Sequence, residues 1–271
     1  MGGQISASGS FHSLPCPMDN ADWMSALCPR LWDVPLHHLS IPGSHDTMTY
    51  CLNTKSPISH EQSWLLQLLG KVLPCVTRPV VLKWSITQAL NITEQLDAGV
   101  RYLDLRIAHM LEGSEKNLHF VHMVYTTALV EDVPTLRQLW AKGQQVVLSY
   151  EDEDAVSRHQ ELWPGIPYWW GNKVKAQELV CYLEHMKSCG RPDGLFVAGI
   201  NLTENLEYVL VHPSKSLKKM TLPSLPYLCA WVREQYPGPG GRCTNIIAGD
   251  FIGADTFVSD VIRLNDKLLG C

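Results

Sequence analysis

Four short segments carry side chains that can do proton-transfer chemistry together. In Leu39-Ser40-Ile41-Pro42-Gly43-Ser44-His45-Asp46-Thr47 a His–Asp pair stands directly beyond Pro-Gly. Gly43, free of a Cβ, permits an unusual backbone that aims both side chains. In Gly99-Val100-Arg101-Tyr102-Leu103-Asp104-Leu105-Arg106, an extended backbone puts Tyr102, Asp104 and Arg106 on one face, because strand residues two apart point the same way. Leu118-His119-Phe120-Val121-His122-Met123 supplies a second histidine at a strand end, and Asn245–Gly253 is an apolar run that reaches Gly249-Asp250. His45, His122, Asp46, Asp250 and Arg106 form a coherent kit. One His–Asp pair takes a proton, the other delivers one, and the arginine fork holds a phosphate. Histidine suits both proton roles because its ordinary pKa lies near neutrality. A structural Asp104–Arg106 salt bridge explains that spacing equally well.

Such side chains need strand ends to hold them. Strand patterns lie at His38–Ile41, Tyr102–Ile107, Leu118–Val124, Gln145–Ser149, Tyr168–Trp170, Leu195–Ile200 and Thr244–Phe251. Several are apolar on both faces, as in a buried parallel sheet. Helical patterns lie between them: Ser85–Ala98, stopped by Gly99; Pro134–Lys142, stopped by Gly143; Val174–Ser188; and Thr256–Leu269. The alternation predicts an α/β barrel or a doubly wound sheet. No G-x-G-x-x-G or Walker loop follows an early strand, so a nucleotide fold has no support. Residues 1–29, rich in Gly, Ser, Pro and Asn, read as a flexible tail onto which Trp23 and Leu27 dock; one domain runs over 30–271.

Composition narrows the function. The chain has 271 residues, 45% hydrophobic and 18% charged, enough for a large core. The net charge of -5 argues against a broad nucleic-acid surface. The apolar stretch Leu65–Leu82 is interrupted by Gln67, Lys71, Arg78 and two prolines, which excludes a membrane span. Nine scattered cysteines without a C-x-x-C, and no secretory apolar region at the start, favour a reducing, cytoplasmic location. Met1-Gly2-Gly3-Gln4-Ile5-Ser6 fits the N-myristoylation pattern at Gly2; the alternative is a plain Gly/Ser tail.

Together the four segments resemble the phosphatidylinositol-specific phospholipase C X-domain family, over most of the chain from about Arg30. Ser40–Asp46 is similar to its first catalytic motif, Gly99–Arg106 to its second, Val121-His122 to its second catalytic histidine and Gly249-Asp250-Phe251 to its late aspartate. The resemblance implies a distorted TIM-like (β/α) barrel. It implies His45 as general base on the inositol 2-hydroxyl, oriented by Asp250, and His122 as general acid to the diacylglycerol oxygen, oriented by Asp46. Arg106 stabilises the phosphoryl oxygens, with Asp104 beside it in support. The implied partner is phosphatidylinositol or a related inositol phospholipid, met by peripheral membrane contact. The family's calcium-dependent members carry Asn after the first histidine and a carboxylate where Arg106 stands. Asp46 and Arg106 therefore imply a site with no metal and no cofactor, and weaken a metal-dependent glycerophosphodiesterase reading.

Weaker substrate contacts are Tyr150 and Asp152 in the acidic Tyr150–Asp154 run, which otherwise reads as a solvated loop. Trp170 and Asn172, in Tyr168-Trp169-Trp170-Gly171-Asn172, form either a ring-stacking wall at the mouth or ordinary packing. One departure matters. Thr126–Asp132 runs straight into Val133-Pro134, where family members carry a further helix and strand. Seven strand patterns stand where a barrel needs eight. The chain reads as a shortened form, with a catalytically impaired lipid- or partner-binding module as the competing function.

Overall fold

The computed structural model describes residues 20–109, 118–129, 147–159 and 162–270. Ten strands are present among them: β1 (Ile41–Ser44), β2 (Tyr102–Leu103), β3 (Ile107–His109), β4 (Leu118–His122), β5 (Val124–Leu129), β6 (Ser149–Tyr150), β7 (Trp163–Pro164), β8 (Tyr168–Trp169), β9 (Val197–Gly199) and β10 (Ile246–Gly249). A five-stranded parallel sheet runs β2-β1-β10-β9-β8. The last strand pairs with the first, Ile41 beside Ile246 and Gly43 beside Ala248, which is how a barrel closes and an open doubly wound sheet does not. β6 and β7 form a separate parallel pair. The fold is a distorted α/β TIM-like barrel, with no continuous ring among the described residues. Among the described residues β2 does not pair with β6, nor β7 with β8.

Side-chain alternation sorts the core. Ile246 and Ala248 pack with Ile41, Val197 and Leu39, while Ile247 turns the other way among Phe196, Leu228, Val261 and Leu264. The latter face is covered by helices Ala176–Cys189, Leu225–Arg233 and Phe257–Arg263. Gly43 is required by close approach: a Cβ there would lie 2.8 Å from Tyr102 Cδ1.

Several expectations change. The first strand is Ile41–Ser44, not His38–Ile41; Leu36–His38 is a 3-10 turn. Pro42 fits inside it because its carbonyl accepts from Arg101 N at 2.9 Å on the β2 side, where the ladder is only starting. The expected Leu118–Val124 strand is not a parallel barrel strand but part of an antiparallel meander β3-β4-β5. The Ser85–Ala98 helix begins only at Ile92, where Asn91 and Glu94 form a capping box, and ends before Gly99 at φ 110°. Helices Trp64–Val72, Pro74–Ser85, Leu206–Val211 and Leu217–Thr221 add to those anticipated. The Pro134–Lys142 helix and the junction at Val133 fall outside the described residues, as does Gly2. Packing reaches beyond Arg30 towards the N-terminus. Trp23 is 5% exposed and its Nε1 donates to Gly99 O at 2.8 Å, so the ordered domain includes Asn20 onward. No helix among the described residues is long and apolar enough to cross a membrane.

Candidate active site

The C-terminal ends of β1, β2, β9 and β10 converge, and each has polar residues within two positions of its end: His45-Asp46, Asp104, Asn201 and Asp250, with Arg106 close behind β2. His45 is the hub. Its Nδ1 lies 2.8 Å from Asp250 Oδ1, and its Nε2 lies 3.1 Å from Asp46 Oδ2 and 3.1 Å from Arg106 Nη2. His122, the last residue of β4, donates from Nδ1 to Ser85 O at 2.7 Å and turns Nε2 to Asp46 Oδ2 at 3.3 Å. The two imidazoles stand with centroids 6.2 Å apart. Arg106, half exposed, reaches Asp46 Oδ1 with Nε at 2.9 Å and Asp104 Oδ2 with Nη2 at 3.1 Å.

Asp46 therefore sits between both histidines and the arginine. Its buried oxygens are held by charge; none of these contacts has hydrogen-bond alignment. The unusual backbone belongs to Asp46 itself, left-handed at φ 44°, and not to Gly43, which is ordinary strand. A non-glycine residue in this region costs about 1–2 kcal/mol, a strain typical of sites where geometry is imposed by function. The loop is pinned from below. Thr87 Oγ1 donates to the His45 and Asp46 carbonyls, and Gln88 Nε2 donates to His45 O at 2.8 Å and Gly249 O at 3.0 Å. Residues 86–91 are not helical, and a helix there would withdraw both side chains.

Electrostatics follow from this packing. Burial disfavours the His45 cation, but the Asp46 and Asp250 carboxylates outweigh it and raise its pKa to about 9. Asp46 is likewise opposed by burial, yet His122, His45 and Arg106 hold it below the usual carboxylate range. Burial pushes Asp250 up despite His45. The resting site is thus an ion-pair cluster whose carboxylates favour the His45 cation, with Arg106 opposing it. The crevice beside Asp46, Asp104 and Arg106 has a volume of about 10 Å³, near the minimum for one water, so a substrate must part these side chains.

His45, Asp46 and Asp104 offer ligand atoms within 4.8 Å of one another, a possible cation cluster. Arg106 already lies on both carboxylates, so the donor set fits a fixed guanidinium better than an added metal. Of the weaker expectations, Asp152 caps the helix Glu153–Arg158, accepting from Ala155 N at 2.9 Å, and Tyr150 is exposed. Trp169 is core, packed on Phe196, whereas Trp170 is on the surface and donates from Nε1 to Thr203 Oγ1. Asn172 is exposed, at φ 47°.

Sequence reasoning missed Asn201, Tyr168 and Glu204. Asn201, 1% exposed, accepts from Tyr168 OH at 3.0 Å and places Nδ2 3.4 Å from His45 Nε2. Glu204 is partly buried. Burial, with Asp250 nearby, raises its carboxyl to about 7 against the pull of His122 and His45. Asn201 directly follows an expected strand, the same signal that found Asp250.

No protein-family model matches the sequence. Among curated proteins, human PI-PLC X domain-containing protein 1 is 69% identical over 323 aligned positions covering 100% of both chains. The chain belongs to the PI-PLC X domain-containing protein family. Mouse PI-PLC X domain-containing protein 2 is 30% identical over 92% of this chain and 88% of its own, so the similarity within the family favours member one. The 323 positions aligned with the human protein against 271 residues here leave at least 52 without a counterpart, in keeping with a shortened X domain. In fold, the chain is similar to a solved structure of phosphatidylinositol-specific phospholipase C from Staphylococcus aureus. The TM-score is 0.56 at 15% identity, over 92% of this chain and 99% of that one.

Proposed function

We propose that this X-domain protein cleaves the phosphodiester of phosphatidylinositol or a related inositol phospholipid, releasing diacylglycerol and a cyclic inositol phosphate. The observation that carries the reading is the pair of histidines with centroids 6.2 Å apart, both against Asp46, with Asp250 on the other nitrogen of His45 and Arg106 on Asp46. The substrate phosphate takes the position Asp46 now bridges. In its neutral form His45 takes the inositol 2-hydroxyl proton at Nε2 while Asp250 holds Nδ1. The hydroxyl oxygen bonds to phosphorus as the bond to the diacylglycerol oxygen breaks. His122 Nε2 gives its proton to that leaving oxygen. Arg106 balances charge on the non-bridging oxygens, so catalysis is positioning, proton transfer and charge stabilisation. No step uses a metal. The same reading puts the protein in the cytoplasm, in peripheral contact with membranes, with Gly2 as an acylation site that peptide mass spectrometry would test.

The test is release of cyclic inositol phosphate from phosphatidylinositol by the full chain. His45→Ala and His122→Ala should each abolish it. Release unchanged in either variant, or absent from a wild type that melts cooperatively, would sink the reading. The absent wild-type activity would support the second function, a lipid- or partner-binding X domain, which the gap of at least 52 aligned positions favours.

A further inference from the structure

A cavity of about 310 Å³ lies at the end of the barrel opposite the site. Its walls come from segments that lead into strands rather than out of them. Arg30–His38 precede β1 and Gly238-Pro239 precede β10, and Leu268 and Leu269 close the third side. That volume is in the range of pockets that take a small ligand. The floor is apolar: Leu31 is 3% exposed, and Val34 and Leu268 pack on the core layer of Leu39, Ile41, Val197 and Ile246. The walls are tied together by Arg191, which donates from Nη2 to His37 O at 2.7 Å and from Nη1 to Gly238 O at 2.8 Å while lying on the Phe196 ring. The cavity is therefore preformed.

The rim selects the occupant. Arg30 and Asp33 line the opening, both exposed, and neither makes an ion pair among the described residues. A free fatty carboxylate there would be drawn by Arg30 and repelled by Asp33. An acyl amide suits both, since its carbonyl accepts from the guanidinium and its N–H donates to the carboxylate. The chain itself carries a residue for such a group. Gly2 stands in the N-myristoylation pattern, and an acyl chain on its amine is joined by an amide. The described chain begins on the same end of the barrel: Asn20 Nδ2 donates to Ala98 O at 3.1 Å, at the foot of β2, and the backbone passes from there into Arg30. The 18 residues from Gly2 to Asn20 span up to about 60 Å when extended, so Gly2 has ample reach. We propose that this cavity is an acyl-binding site, occupied by the saturated fatty chain on Gly2 of the same molecule, with Leu31, Val34, Leu268 and Leu269 around the hydrocarbon and Arg30 and Asp33 on the amide. Stowed there, the chain is withdrawn from lipid; released, it is a weak and reversible membrane anchor. The inference rests on acylation of Gly2 and is independent of the phospholipase chemistry.

The test uses the full chain produced together with an N-myristoyltransferase, with Gly2→Ala as the unacylated control and intact mass to identify each. The acylated chain should melt several degrees above Gly2→Ala, and amide hydrogen exchange should slow at residues 30–38 and 268–269. Its binding to phosphatidylcholine vesicles should be at least about tenfold weaker than the roughly 10⁴ M⁻¹ of an exposed myristoyl chain. Val34→Trp, which fills the cavity from its wall, should abolish the melting difference and raise vesicle binding of the acylated chain about tenfold or more. Free myristate added to Gly2→Ala should produce no rise in melting temperature. An unchanged melting temperature or unchanged exchange in the acylated chain overturns the proposal, and both readouts stand without Val34→Trp should that variant fail to fold. Vesicle binding at the strength of an exposed chain overturns it as well. So does an equal rise with free myristate, which would make the cavity a site for fatty acids in solution. A chain left unacylated after co-expression removes the premise and overturns it too. Turnover does not enter the measurement, so loss of the catalytic reading leaves these outcomes unaltered.

Discussion

The bridging position of Asp46 makes a quantitative prediction. Replacing it by asparagine keeps the shape and removes the charge 3.1 Å from His45 Nε2. At that distance and an effective dielectric of about 20, the attraction is worth about 5 kcal/mol before burial opposes it. The net effect of burial, Asp46, Asp250 and Arg106 on His45 is a rise from 6.5 to about 9, about 3 kcal/mol in favour of the cation at about 1.4 kcal/mol per pKa unit. In Asp46→Asn, with Asp250 still on Nδ1, the His45 midpoint should fall by at least about one unit. The assay is an NMR titration of the imidazole resonances, with His45 assigned by its loss in His45→Ala. Stability gives a second readout. A group whose folded pKa lies above its unfolded value stabilises fully below the unfolded value and loses that contribution as pH rises through the folded one. The wild type should lose up to about 3 kcal/mol between pH 6.5 and about 9 from this residue, and the variant less, by urea unfolding. If His45 acts as base, the ascending limb of turnover should also move to lower pH in the variant. A wild-type midpoint at or below 6.5, or one that Asp46→Asn leaves unmoved, would refute the ion-pair reasoning.

Three other outcomes follow from the geometry. EDTA and added calcium should leave turnover unchanged, because the Arg106 guanidinium already occupies the space between Asp46 and Asp104 and repels a second cation; recovery of a chelated enzyme on adding calcium would overturn that assignment. Gly43→Ala should destabilise by about 1–3 kcal/mol, since its Cβ would meet Tyr102 Cδ1 at 2.8 Å, and an unchanged melting curve would contradict the close approach of β1 and β2. Trp23→Ala should cost about 3–5 kcal/mol by calorimetry, as the indole is 5% exposed and bonded to Gly99 O; wild-type stability would restore the view of residues before Arg30 as a loose tail.

The residues that carry chemistry were legible in the linear chain because polar groups placed just past buried apolar strands have few other reasons to be there. His45, Asp46, Asp104, Arg106, His122 and Asp250 were read this way, and their side chains meet. Asn201 follows the expected strand Leu195–Ile200 by the same rule. The Gly99 helix stop was legible too, because a left-handed C′ position favours one residue type. Strand boundaries were less so: Pro42 suggested an end where the ladder bond it lacks is not required.

Tertiary contacts alone decided the rest. Thr87 and Gln88 sit in a segment whose pattern is helical, but their bonds to the His45 loop and to Gly249 O go with a non-helical backbone there. The antiparallel placement of β4, which brings His122 to Asp46, depends on pairing with β3 and β5, and strand periodicity is blind to a partner's direction. Which carboxylate serves which histidine is likewise absent from the order of residues. It is set where β1, β10 and β4 bring 45, 250 and 122 together, and there Asp46 lies against both rings, so the charge state of the site belongs to the cluster and to no single residue.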